Sequence, residues 1–299
     1  MRIAVVGCGA VGSLFAANLG TLDDVEVWAY DPWQEHVDAI NANGLRLSGA
    51  GEVVGNVNAT ADPAALPSCE LGIVAVKSMQ TSEAIAATAH AFGAVASVQN
   101  GAGNEELIAE HVREVIRGTT FPAGHVIEPG HVGWDTRGDT HIGPFEPSPA
   151  PLEAVEALAD ACTRAGMPTH ALADARGAQW RKLIFNAASN AIAALTSRTH
   201  GQVAEPPTRE LAWAVMAEGR AVADAQGITL DMSPEELFDH AARKDVAYGH
   251  KPSMLQDVEA GRETEIDFLN GAIVAFGDRH GVDAPLNRAL TQLIKGRTG

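Results

Sequence analysis

An α/β fold, a doubly wound parallel sheet joined to a second, all-helical C-terminal domain, is predicted by features at both ends of the chain. A short apolar strand at residues 2–6 runs straight into Gly7-Cys8-Gly9-Ala10-Val11-Gly12 and an apolar helical stretch. Strand and helix patterns then alternate, the arrangement that builds parallel sheets. From Ala173 onward helical periodicity leaves little strand signal, so the expected boundaries are 1–172 and 173–299.

The elements follow in order. A Gly-x-Gly-x-x-Gly string placed between a strand and a helix marks a Rossmann-type dinucleotide-binding turn. Gly7 permits the tight turn, Gly9 lets the backbone approach a pyrophosphate, and Gly12 lets helix and strand pack closely. The helix N-terminus offers N–H groups and positive dipole to phosphate. The second strand, residues 25–30, ends at Asp31, 19 residues beyond Gly12. A carboxylate there accepts hydrogen bonds from the adenosine ribose and repels a 2′-phosphate, favouring NAD(H) over NADP(H). Asp31 before Pro32 also fits a helix N-cap followed by proline at the first helical position, and both readings can hold together.

A helix over 32–43, short strands at 45–47 and 53–57, and a buried strand at 71–76 ending at Lys77 come next. After another helix, a strand at 94–99 ends at Asn100-Gly101. Lys77 and Asn100 thus fall at strand carboxyl ends, where doubly wound sheets bind ligands. Further strands lie within 116–143, a proline-rich loop covers 144–149, and a helix spans about 152–165. Near the C-terminus one helix is expected through Glu265, Ile266, Leu269, Ile273 and Phe276, capped at His280-Gly281.

In the helical half, Lys182, Asn186 and Asn190 are spaced i, i+4, i+8. Each step of four residues drifts only about 40° around a helix, so the three share one face. An ammonium and two carboxamides on a mostly apolar helix suit a small substrate carrying a carbonyl or hydroxyl. The plainer reading is a solvated face.

Composition narrows the function classes. Hydrophobic content of 46% and charged content of 20% describe a globular chain with ample core. Cys8, Cys69 and Cys162 are widely spaced without zinc-like pairing, so neither a metal site nor a disulfide framework is expected. A net charge of −17 argues against nucleic acid or anionic membrane as partner. No apolar run reaches membrane length and no leader pattern precedes the turn, and a cytoplasmic location is expected.

The glycine turn, Val76-Lys77-Ser78-Met79-Gln80-Thr81, Gln99-Asn100-Gly101, Trp180-Arg181-Lys182 with Asn186 and Asn190, and Ser253-Met254-Leu255-Gln256-Asp257 through Thr264-Glu265-Ile266-Asp267 together resemble the ketopantoate reductase family. The resemblance spans essentially the whole chain. It implies a Rossmann domain, a helical domain, a substrate cleft between them, and hydride transfer that interconverts a 2-oxo acid and a 2-hydroxy acid. By resemblance Lys182 is the general acid and base, Asn100 and Glu265 belong to the catalytic centre, and Asn186, Asn190 and Ser253 bind substrate together with Lys182. The cofactor set is then Gly7 through Gly12, Asp31, Lys77, Asn100, Gly124 and Glu265. This chain departs from the family pattern at three positions. Asp31 stands where members that use NADPH commonly carry a basic residue. His200 and His250 fall on substrate-side positions that are Asn in well-studied members. These imidazoles either reshape the substrate site, pairing with an anionic group when protonated, or are loop residues without consequence. The competing readings are biosynthetic ketopantoate reduction, a non-catalytic NAD(H) sensor and a β-hydroxyacid or sugar-acid dehydrogenase. A small 2-oxo or 2-hydroxy acid is the expected partner, with a homodimer as the candidate assembly.

Overall fold

The computed structural model describes residues 1–298. It divides into two compact units, residues 1–99 with 104–175 and residues 100–103 with 176–299.

The first unit begins with β1 (Arg2–Val6), α1 (Ala10–Leu19), β2 (Glu26–Tyr30) and α2 (Gln34–Asn43). Short strands β3 (Leu45–Gly49), β4 (Val53–Gly55) and β5 (Asn58–Thr60) lead to β6 (Cys69–Val74), α3 (Thr81–Thr88) and β7 (Phe92–Ser97). The unit continues through α4 (Asn104–Ala109), β8 (Glu114–Thr120), β9 (Ala123–Glu128), β10 (His131–Thr136), β11 (Thr140–Pro144), α5 (Leu152–Arg164) and β12 (Thr169–Ala171).

Successive residues of a strand face opposite sides of its sheet. Within β1, Ile3 and Val5 enter one apolar cluster, which α1 and α5 share, while Val6 enters another with Ile85 of α3 and Ile108 of α4. A strand buried on both faces belongs inside a parallel sheet covered on both sides. That sheet has the order β12-β11-β8-β7-β6-β1-β2-β5, with every neighbouring pair parallel except β8 and β11. The chain moves outward from β1 to β2 on one side and to β6 on the other, so the topological switch lies between β1 and β6.

The expected single strand at 53–57 divides into β4 and β5, which serve different sheets. The division follows from α1: a Cβ on Gly55 would lie 2.2 Å from the Ala17 carbonyl oxygen, and Asn56 N–H donates to Gly20 at 2.9 Å. The strands within 116–143 separate likewise. β8 and β11 join the large sheet, whereas β9 and β10 form a second sheet, β4-β3-β10-β9, that packs on α1.

The second unit is helical: α6 (Arg176–Thr196), α7 (His200–Val203), α8 (Thr208–Ala225), α9 (Pro234–Ala241), α10 (Ser253–Glu259), α11 (Asn270–His280) and α12 (Pro285–Thr298). α6 is its axis, contacted by α8, α9, α10 and α12. A helix surrounded in this way must be buried all round, and from Gly177 to Ala194 Lys182 alone is not fully buried. The helix expected through Glu265 and Phe276 is interrupted. A short 3-10 turn covers Ile266–Phe268, Leu269 leaves helical geometry at φ −105° and ψ −98°, and α11 starts afresh at Asn270. The Phe268 carbonyl, which a continuous helix would use internally, accepts the Ala102 N–H at 3.0 Å instead. The left-handed Gly281 closes α11 as expected, at φ 71°. No helix among the described residues is long and apolar enough to cross a membrane.

A buried polar network ties the helices together. Asn287 Nδ2 donates to Glu218 at 2.8 Å and to the Val215 carbonyl at 3.2 Å, and its Oδ1 accepts from Asn270 at 3.0 Å. Glu218 also accepts the Leu286 and Asn287 N–H groups, placing an anion at the N-terminus of α12. Asn287→Ala removes partners from buried groups and should cost about 2–3 kcal/mol. Urea unfolding measures it, and a change below about 0.5 kcal/mol would show the network to be dispensable.

Candidate functional site

The two units each gather part of the predicted site. In the first, the glycine turn follows β1 at the switch point. Gly7 has φ +87°, and a Cβ on it would lie 2.5 Å from Val76 Cγ1. A Cβ on Gly12 would lie 1.9 Å from the Gly7 carbonyl oxygen, whereas one on Gly9 would meet nothing within 4 Å. Gly7 and Gly12 are thus required by packing and Gly9 by none, leaving an open cradle beside the backbone. Gly9 is also the N-cap of α1, no side chain caps that helix, and its first turn holds no acid. The first N–H groups of a helix have no acceptor within it. The turn therefore fits an anion such as a pyrophosphate. Cys8 contributes backbone rather than thiol, since burial pushes its thiol up to about 12.

Asp31 joins this turn. Its Oδ2 accepts the Cys8 N–H at 2.8 Å and its Oδ1 accepts the Trp33 N–H at 3.0 Å. The N-cap of α2 is Trp33, so Asp31 is not the cap and Pro32 is not the first helical position. The carboxylate prefers two backbone N–H groups on either side of the strand end to the helix itself. Lys77, exposed, follows β6 and precedes a 3-10 turn over Ser78–Gln80. The neighbouring loops are tied by Gln99, which donates to the Val76 carbonyl at 2.9 Å and to Thr81 at 2.6 Å. Gly124 lies in β9 opposite Trp134, where a Cβ would lie 2.4 Å from the Gly133 carbonyl oxygen. A groove of about 1110 Å³ lined by Arg2, Asp24, Glu26 and Glu70 opens at the amino ends of β1, β2 and β6, the wrong end of the sheet for the glycine turn.

In the second unit the polar stripe of α6 is not a solvated face. Asn186 and Asn190 are buried and Lys182 is half-buried. Lys182 Nζ donates to Asn100 Oδ1 at 2.8 Å. Burial lowers the Lys182 ammonium to about 8, against the opposing pull of the Glu265 carboxylate. Asn100 is positioned by the loop it opens. Gly101 takes φ +87°, a Cβ there would lie 2.2 Å from the Phe268 carbonyl oxygen, and that same oxygen accepts the Ala102 N–H. The turn that carries Glu265 thereby also anchors Asn100, and both bear on one ammonium.

Further along α6, Asn190 Oδ1 accepts from Ser253 Oγ at 3.3 Å and from the Met254 N–H at 3.2 Å, joining α6 to the start of α10. Asn186 is only 8% exposed and has no hydrogen-bond partner among the described residues. Its amide atoms are not among the buried unsatisfied ones, so the carboxamide is open to water or to a ligand. His200 and His250 stack at 5.6 Å and 9°, and Phe185 stacks on the other side of His200 at 5.6 Å and 17°. His200 Nδ1 lies 2.5 Å from Ser189 Oγ. Burial first, then the neighbouring His250, pushes His200 down to about 4, so it is neutral at pH 7 and offers no cation to an anionic group. Sequence reasoning missed Phe185 and Ser189. Ser189 lies three residues past Asn186, a spacing that carried the signal.

The sequence matches the family models described as ketopantoate reductase PanE/ApbA over residues 3–147 and as its C-terminal part over residues 174–298. It is 35% identical to a 2-dehydropantoate 2-reductase of Pyrococcus abyssi, covering 99% of this chain and 98% of that protein. Another from Archaeoglobus fulgidus is 33% identical over 99% and 97%. Among solved structures, a PanE/ApbA family ketopantoate reductase from Ralstonia eutropha JMP134 superposes with a TM-score of 0.87 at 32% identity, covering 100% of this chain and 98% of that one. A D-mandelate dehydrogenase in ternary complex with NADH and anilino(oxo)acetate gives 0.89 at 26% identity, with 100% and 98% covered.

The glycine geometry separates two substitutions. Gly12→Ala drives a methyl into backbone and should cost more than about 3 kcal/mol of stability. Gly9→Ala enters open space and should cost less than about 1 kcal/mol. Thermal unfolding of the two variants checks this, and equal losses would contradict the packing described.

Proposed function

The chain belongs to the ketopantoate reductase family, and on that premise we propose that it is an NAD(H)-dependent oxidoreductase interconverting a 2-oxo acid and a 2-hydroxy acid. The observation that carries this reading is the half-buried Lys182 ammonium, lowered to about 8, held by Asn100 and Glu265 on the same helix as the unpartnered Asn186. A sensor of NAD(H) needs no such proton donor. The first unit is assigned to the dinucleotide, through the backbone of Gly7 to Gly12, Asp31, Lys77 and, on the strand packed against α1, Gly124. The second is assigned to substrate, with Asn100 and Glu265 completing the catalytic centre and contributing to the cofactor side.

Bound NADH supplies a hydride to the carbonyl carbon, and NAD accepts it in the reverse direction. Lys182 stabilises negative charge growing on the carbonyl oxygen and then passes that oxygen a proton. In the oxidative direction its neutral amine takes the proton back. Asn100 orients the ammonium by accepting one of its hydrogens. Asn186, Asn190 and Ser253 supply hydrogen bonds to the substrate's carboxylate and hydroxyl. Phe185 and the neutral ring of His200, stacked on one another, add no cation to the second unit's polar groups, which favours an uncharged substrate side chain. The second reading, reduction of ketopantoate itself, is favoured by the names of the Pyrococcus and Archaeoglobus relatives. NADH oxidation measured against a panel of 2-oxo acids that includes ketopantoate, with NAD reduction by the matching hydroxy acids, tests the reaction. A panel without turnover in either direction would refute it.

Lys182→Ala should lower kcat by roughly 10²–10⁴ while leaving NADH affinity nearly unchanged. In the wild type, reduction needs the protonated form and should decline as pH rises through about 8, whereas oxidation needs the amine and should rise over the same interval. Rate profiles in both directions check the sign, and parallel profiles would remove Lys182 from proton transfer.

Asp31 governs the cofactor prediction. Wild type should show a higher kcat/KM with NADH than with NADPH. Asp31→Ser should narrow that gap chiefly by loss on the NADH side, roughly 10-fold or more, because the carboxylate also holds the Cys8 and Trp33 N–H groups. A wild-type preference for NADPH would leave Asp31 a purely structural role.

A further inference from the structure

Trp33 breaks a local rule. It occupies the N-cap of α2, with φ −80° and ψ 93°, and provides no capping hydrogen bond. Ser, Thr, Asp or Asn would stabilise the helix there, and any of them would spare the exposure of an indole that is 39% accessible. A residue chosen against local stability points to a function outside the helix. The ring is nevertheless held firmly. It lies parallel to His36, with centroids 5.1 Å apart and an interplanar angle of 7°. His36 is completely buried, and its Nδ1 accepts the Gly130 N–H at 3.0 Å, which leaves the proton on Nε2. Burial also lowers the His36 pKa, so the backing ring is neutral. The Trp33 N–H meanwhile sits on the Asp31 carboxylate, whose other oxygen holds Cys8 in the glycine turn. The phosphate-binding turn, the ribose-binding acid and a flat exposed ring therefore form one connected series at the ends of β1 and β2.

We propose that the indole of Trp33, backed by His36, is the stacking platform for the adenine of the bound dinucleotide. This rests on the NAD(H)-binding reading above and extends it to the base. Base–aromatic stacking is indifferent to a 2′-phosphate, so Trp33 adds affinity for NADH and NADPH alike, while Asp31 distinguishes them.

The test is binding to the full-length protein, followed by nicotinamide fluorescence, with NADH, NADPH and reduced nicotinamide mononucleotide as probes. The last carries the nicotinamide half and no adenosine. Trp33→Ala should raise the Kd for NADH and NADPH by a common factor, roughly 5- to 100-fold, and leave the mononucleotide unaffected. Trp33→Phe should retain most of the affinity. Unchanged NADH binding in Trp33→Ala, or an equal loss for the mononucleotide, would overturn the proposal. A change of oligomeric state with unchanged NADH affinity would overturn it too, marking the indole as a subunit contact. Wild type that binds none of the three would refute the NAD(H) reading itself.

Discussion

A half-buried ammonium carried on the central helix of an apolar bundle is the constraint around which the second unit is organised. Water would solvate Lys182 far better than a helix interior does, and its lowered pKa measures that loss. The surroundings compensate in part. Asn100 comes in on a four-residue loop that leaves the first unit's sequence to join the second, and Glu265 comes from a turn that interrupts a helix. Both departures from regular structure serve the same nitrogen. Gly101 shows how tightly they are coupled, because its left-handed backbone lies against the Phe268 carbonyl of the Glu265 turn.

A comparable economy appears around the glycine turn. One carboxylate, Asp31, holds backbone N–H groups on two segments and keeps both oxygens at the end of β2. Charge-assisted hydrogen bonds to a carboxylate are stronger than neutral ones, so the turn is preorganised before any ligand arrives. An N-cap would have used the same acid to stabilise a single helix. The observed arrangement uses it to tie the glycine turn to the start of α2 instead.

The imidazoles show why environment must be known before chemistry is assigned. Histidine as a residue type is compatible with a cation at neutral pH, but His200 is sandwiched between two rings and hydrogen-bonded to Ser189, and it is neutral. It then presents a flat, uncharged ring in a stack of three. Asn186 is the converse. As a residue type it is ordinary, and only the fold shows that it is 8% exposed with its carboxamide uncommitted to the described residues.

Local patterns in the sequence determined the elements that depend on nearest neighbours. The strand–glycine–helix unit, the alternation that makes the parallel sheet, the i, i+4, i+8 stripe and the glycine cap of α11 all follow from spacing along one chain. Tertiary structure decided what depends on residues distant in sequence. It split residues 53–57 between two sheets because α1 presses on Gly55, and it broke the helix before Asn270 because Ala102 claimed the Phe268 carbonyl. It also set the charge on His200 and the partners of Asp31, since hydrogen bonding and desolvation come from the surrounding fold and leave no periodicity to read.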